Sequence, residues 1–158
     1  MCIYSNVSDH IHAAQRIARE CTCLKVRQAS RVLTKLYDAE IRSTGLQQSQ
    51  ASVLVAIAHF GDGGATMGQI ASALKMDRTT LTRSLRPLEV AGLVLVARSP
   101  DDARTRVVLL SRAGERMLVT LLPLWERAQK KVRAALGGDL LAEVSRNLDH
   151  VADLAEQP

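Results

Sequence analysis

Arg78, Thr79, Thr80, Thr82, Arg83 and Arg86 bring cationic and hydroxyl side chains together at helical spacing. Leu81, Leu85 and Leu88 recur between them every three to four positions, so a helix here buries one face and turns the polar residues outward. The chemistry open to such a face is polyanion recognition. A guanidinium grips a guanine edge or a phosphate bidentately, and a threonine offers a hydroxyl to either and a methyl group to thymine. Further along, Asp102 and Arg104 sit in a polar turn from Ser99 to Thr105. An arginine at such a tip suits the narrow minor groove, and an aspartate two residues earlier can orient it by an ion pair.

The placement of charge supports this reading more than its amount. The chain carries a formal charge of +5 and has a pI near 9.5, a modest excess for a polyanion partner. Between Lys75 and Arg112, however, stand eight basic and four acidic residues. That surplus is most of the net charge in about a quarter of the length.

The elements that must hold these residues follow from caps and periodicity. Thr66 and Gln69 form a Thr-x-x-Gln capping box that opens a short helix running through Leu74. Asp77 caps the next helix, Arg78 to Val90, which Gly92 closes. Two short helices joined by a tight turn make a helix-turn-helix, with Ile70, Ala71 and Leu74 packed on Leu81, Leu85 and Leu88. Residues 93–98 and 106–110 read as a hairpin, and Ser111 caps a long helix to about Leu136 that Pro123 should kink. Helices over 23–42 and 49–60 precede this unit, and another follows from Asp139. The expected fold is mainly α with a small β-wing. Residues 47–111 form the winged helix-turn-helix, and 1–46 with 112–158 form a helical dimerisation region, because their apolar faces exceed what the small unit can cover.

Several classes are unsupported. At 158 residues, 47% hydrophobic and 23% charged, the chain is a folded domain that needs no staples. No apolar run approaches a membrane span and no leader is recognisable, so a cytoplasmic location without membrane attachment is expected. No phosphate-binding loop, nucleophile elbow or zinc motif occurs, so neither an enzyme nor a metal or cofactor is expected.

The resemblance rests on MGQIASALKMDRTTLTRSLRPLEVAGLV (67–94), Asp102-Ala103-Arg104, and Leu110-Ser111-Arg112-Ala113-Gly114. With these the chain resembles the MarR family of bacterial transcriptional regulators, Ser111 standing where the family has threonine. The resemblance covers roughly residues 24–136. It implies a homodimer on double-stranded DNA, with recognition helices in successive major grooves of a pseudo-palindromic operator and wings in the minor grooves. It also implies repression relieved by a small ligand, often aromatic, bound between the dimerisation helices and the DNA-binding unit. Two positions depart from the pattern. Lys75 occupies a turn position commonly held by glycine and must bear a strained backbone or a slightly different turn, and Pro87 lies inside the recognition helix.

Tyr37, His59 and Trp125 are the candidate walls of the effector pocket, which must be mainly aliphatic in a chain with four aromatic residues. Cys21 and Cys23 are small apolar packers, a redox pair or a metal site. On a continuous helix they would point about 200° apart and could not readily bridge each other. A protein-interaction or architectural use of the same fold, without a specific operator, is the alternative of another class.

Overall fold

The computed structural model describes residues 7–99 and 105–154. Asp102 and Arg104 lie outside these residues. Contacts divide the chain into two compact units, Met1–Leu36 and Tyr37–Pro158. The first holds α1, Val7–Glu20, and most of α2, Thr22–Ile41. Helix α1 was not expected. Its apolar residues Ile11, Ala14 and Ile17 recur at helical spacing, so a periodic signal for it was present in the sequence, and Ile11 and Ile17 remain 44% and 61% exposed.

In the second unit α2 ends in a 3-10 turn, Arg42–Thr44, closed by Gly45 in the left-handed region at φ 75°. Helix α3, Gln48–His59, supplies the middle of the core through Val53, Leu54 and Ile57, all essentially buried. The chain then turns at residues 61–64 into β1, Ala65–Thr66, a strand too short for any alternation to reveal. Helices α4, Met67–Ala73, and α5, Arg78–Val90, follow, then strands β2, Val94–Arg98, and β3, Arg106–Leu110. The sheet is antiparallel in the order β1-β3-β2. Register runs from Val94 opposite Leu110 to Arg98 opposite Arg106, while β1 pairs Ala65 with Val108. Helix α6, Arg112–Leu136, passes Pro123 as one element, and α7, Gly138–Asp153, completes the unit.

One core joins these elements. Ile70 from α4 and Leu81, Leu85 and Leu88 from α5 are buried against α3, Val94, Val108, Leu121 and Leu124. Each such leucine contributes about 1.5–3 kcal/mol by leaving water. The turn between α4 and α5 is correspondingly fixed. Met76 N–H donates to the Ala71 carbonyl at 2.9 Å. Lys75 takes φ 49°, the left-handed conformation expected where it replaces glycine.

Candidate nucleic-acid interface

Helix α5 owes its start to Asp77. Its Oδ1 accepts the Thr80 amide at 2.8 Å and its Oδ2 accepts the Thr80 hydroxyl at 2.6 Å. These bonds, the hydroxyl first, hold the Asp77 carboxyl below the usual carboxylate range. Helix α4 starts in the same way. Thr66 Oγ1 accepts the Gln69 amide at 3.2 Å, and Gln69 Oε1 accepts the Thr66 amide at 2.8 Å.

Beyond its cap, α5 turns Arg78, Thr79, Thr82, Arg83 and Arg86 to solvent, opposite the buried leucines. Thr80 is exposed as well, but its hydroxyl proton belongs to Asp77. The Thr82 hydroxyl donates to the Arg78 carbonyl at 2.8 Å. Phosphate oxygens only accept, so these two threonines are left to offer a lone pair or a methyl group. Thr79 differs, since its hydroxyl has no partner among the described residues. The three threonines thus divide by role, a division that spacing alone did not show. Pro87 sits past all of them, and the helix continues to Val90, where the Ala91 amide reaches the Pro87 carbonyl at 2.9 Å.

The wing is aimed by the corner between α5 and β2. Gly92 adopts φ 68°, and the Leu93 amide donates back to the Leu88 carbonyl at 2.9 Å. Ser111 locks this corner onto α6. Its Oγ donates to the Gly92 carbonyl at 2.6 Å and accepts the Gly114 amide at 3.1 Å. At the base of the wing Arg98 and Arg106 are direct cross-strand partners, both exposed. Like charges placed opposite one another destabilise a hairpin, and an anion shared between the two guanidinium groups would relieve that. Both residues were counted in the basic patch, but their apposition depends on strand register and could not be read from spacing.

A cavity of about 610 Å³ opens beside the sheet. Ile57 and Ala58 of α3 form one wall and Leu109 and Leu110 of β3 another. Gly61 and Asp62 of the turn and Glu115, Leu118 and Val119 of α6 complete the lining. None of Tyr37, His59 and Trp125 lines it. The Tyr37 hydroxyl instead donates to Gln129 Oε1, and burial raises its pKa. His59 is exposed, edge-on to Phe60 with ring centroids 5.8 Å apart, and Trp125 is also exposed.

In the first unit, Cys21 lies in the break between α1 and α2 and is half-buried, while Cys23 is exposed. The Cys21 sulfur accepts the Leu24 amide at 3.5 Å, as a helix-capping atom does. The continuous helix assumed for the pair is therefore absent at Cys21. Among the described residues no group of three or more His, Cys, Asp or Glu could hold a metal ion, and no helix is long and apolar enough to cross a membrane.

Residues 44–105 match the model of the MarR family. The uncharacterised HTH-type transcriptional regulator YwoH of Bacillus subtilis is 30% identical over 92 residues, covering 58% of this chain and 65% of its own. The chain thus spans just under two thirds of that relative. Among solved structures, the transcriptional regulator MosR of M. tuberculosis in complex with DNA is 34% identical. That match covers 87% of this chain and 97% of MosR with a TM-score of 0.75. CouR of Rhodococcus jostii bound to p-coumaroyl-CoA shares the fold at 18% identity and a TM-score of 0.73, covering 85% of this chain and 93% of CouR.

Proposed function

The chain belongs to the MarR family and is a DNA-binding transcriptional regulator, and from that premise we propose that it acts as a homodimeric repressor. In this reading the dimer sits on a pseudo-palindromic operator and leaves it when a small ligand binds. The observation that carries it is the exposed face of α5, where Arg78, Thr79, Arg83 and Arg86 stand on a capped helix backed by buried leucines. A helix of this kind fits the major groove with its first turns at the base edges. Asp102 and Arg104, which lie between β2 and β3 in sequence, belong in this reading to the flanking minor groove.

Dimerisation is supported by apolar side chains left in water. In the second unit Val119, Leu122 and Trp125 of α6, Leu148 and Val151 of α7, and Leu154 just after it are all exposed. Faces of this kind mark interaction surfaces. Release by a ligand is supported by the cavity and by the ligand complex of a neighbour with the same fold, CouR.

Selection of bound fragments from a random DNA pool tests the reading. An inverted repeat with half-sites about one helical turn apart is expected. Salt-sensitive, sequence-blind binding would instead indicate an architectural module. Light scattering at micromolar concentration checks the dimer, and a monomer there would remove it.

A second reading has its own observation, the position of Cys21 at a helix break. There its sulfur caps the Leu24 amide, two residues before the exposed Cys23. Hydrogen peroxide would oxidise one thiol to a sulfenic acid with loss of water. The other thiol would then displace a second water and close a disulfide. Equal operator affinity with and without peroxide, in wild type and in Cys21→Ser, would remove this reading.

A further inference from the structure

Among the described residues, Asp62 and Glu115 are the charged side chains lining the cavity beside the sheet. Neither has an ion-pair or side-chain hydrogen-bond partner among the described residues. The rest of the lining is aliphatic apart from Gly61. In a chain of net charge +5 this is a local reversal of sign. Its volume of about 610 Å³ is that of a small-molecule site.

We propose that this cavity binds an amphipathic organic cation, its apolar body against Ile57, Leu110 and Leu118 and its charge between Asp62 and Glu115. An aromatic carboxylic acid would meet two carboxylates with no base in the lining to offset them. A neutral body of the same shape would bury its apolar surface but leave both acids unneutralised. The lining therefore selects by charge after it has selected by shape.

The walls also connect the site to the DNA-binding elements. Leu109 and Leu110 belong to β3, which pairs with β2 along the whole wing stem. On the other side β3 is clamped by the turn that holds Gly61 and Asp62. A Cβ on Gly64 would lie 2.7 Å from both the Leu109 Cγ and the Val108 carbonyl oxygen. A ligand wedged between the end of α3 and the first turns of α6 therefore touches the strand that carries the wing. Linkage then requires that DNA weaken the cation's binding by the factor by which the cation weakens DNA binding.

The proposal rests on the reading that a small ligand releases the operator, and the test separates the two. Calorimetry of the full-length protein uses benzyltriethylammonium, benzyl alcohol and benzoate as cationic, neutral and anionic probes. The cation is expected to bind about tenfold more tightly than either of the others. Asp62→Asn with Glu115→Gln should abolish that preference while leaving benzyl alcohol binding unchanged. Ala58→Trp, which narrows the cavity, should weaken the binding of all three probes. Glu115→Gln alone, at an exposed position, serves if the double variant does not fold. Stronger binding of benzoate, or a cation preference that survives the amide substitutions, overturns the proposal. Operator affinity is measured with the same probes. If the cation binds with the expected carboxylate dependence but leaves DNA affinity unchanged, the site stands and the release reading falls. If benzoate releases DNA and the cation does not bind, the release reading stands and this site falls.

Discussion

Gly114 approaches Leu93 so closely that a Cβ on it would lie 2.1 Å from the Leu93 carbonyl oxygen. That carbonyl also accepts the Ser111 amide at 3.0 Å. The first turn of α6 is thus seated directly on the corner where the recognition helix gives way to the wing. Gly114→Ala must push backbone from backbone, which no side-chain rotation relieves. It should cost about 1–3 kcal/mol, read as a lowered urea midpoint. Gly138→Ala, where a Cβ meets nothing within 4 Å, is the control and should leave stability unchanged or slightly raised. Equal midpoints for the two variants would show that the corner is not tightly seated.

The Asp77 carboxylate makes the start of α5 sensitive to acid. Its folded-state pKa is depressed, first by the Thr80 hydroxyl and then by the Thr80 amide. The unfolded chain therefore takes up this proton more readily. The charge stabilises the fold above the ordinary carboxylate range, and that contribution is lost as pH falls through the depressed value. Asp77→Asn keeps a capping oxygen and removes the charge. Wild type should melt above this variant at neutral pH, and the gap should close below about pH 4. A gap of constant size down to pH 3 would mean that the charge at this cap is irrelevant.

The threonines of α5 should respond unequally to loss of their hydroxyls. Thr82→Val removes a group already bonded to the Arg78 carbonyl and keeps the methyl. Operator affinity should stay within about 0.5 kcal/mol of wild type. Thr79→Val removes a hydroxyl without an internal partner and should weaken binding by about 0.5–1.5 kcal/mol. Arg83→Ala should cost about 1–3 kcal/mol and relax base preference at one position of each half-site. Fluorescence anisotropy on a labelled operator measures all three. Equal losses at Thr79 and Thr82 would show that the internal bond does not limit Thr82.

The helices that carry the interface were legible because their signals are local. The Thr66–Gln69 box, the Asp77 and Ser111 caps and the leucines of α5 each act within one or two turns, and each lies where its sequence signal placed it. What could not be read depends on partners far along the chain. Strand β1 exists because Ala65 meets Val108, and two residues cannot show a period of two. Asp62 and Glu115 line one cavity with residues drawn from four separate segments. Tyr37 and Trp125 drew notice as aromatics on long helices, yet Tyr37 is engaged with Gln129. Cys21 lies just before the expected helix over 23–42, where its sulfur caps the Leu24 amide.

The Arg98–Arg106 pair at the wing base should trade stability against DNA affinity. Register places the two residues directly opposite, so their charges repel in the free protein and both face solvent. Arg106→Thr removes the repulsion and introduces a residue that favours strands. The free protein should gain about 0.2–1 kcal/mol in urea denaturation. On DNA the sign reverses, because the phosphate that would sit between the two guanidinium groups loses one of them. Binding should weaken similarly on operator and random duplex, and the slope of log affinity against log salt should fall by about one. Arg98→Thr should act alike, and the double variant should gain little further stability because one repulsion is removed only once. A variant with less stability and unchanged salt slope would show that this pair holds the hairpin together and does not meet a phosphate.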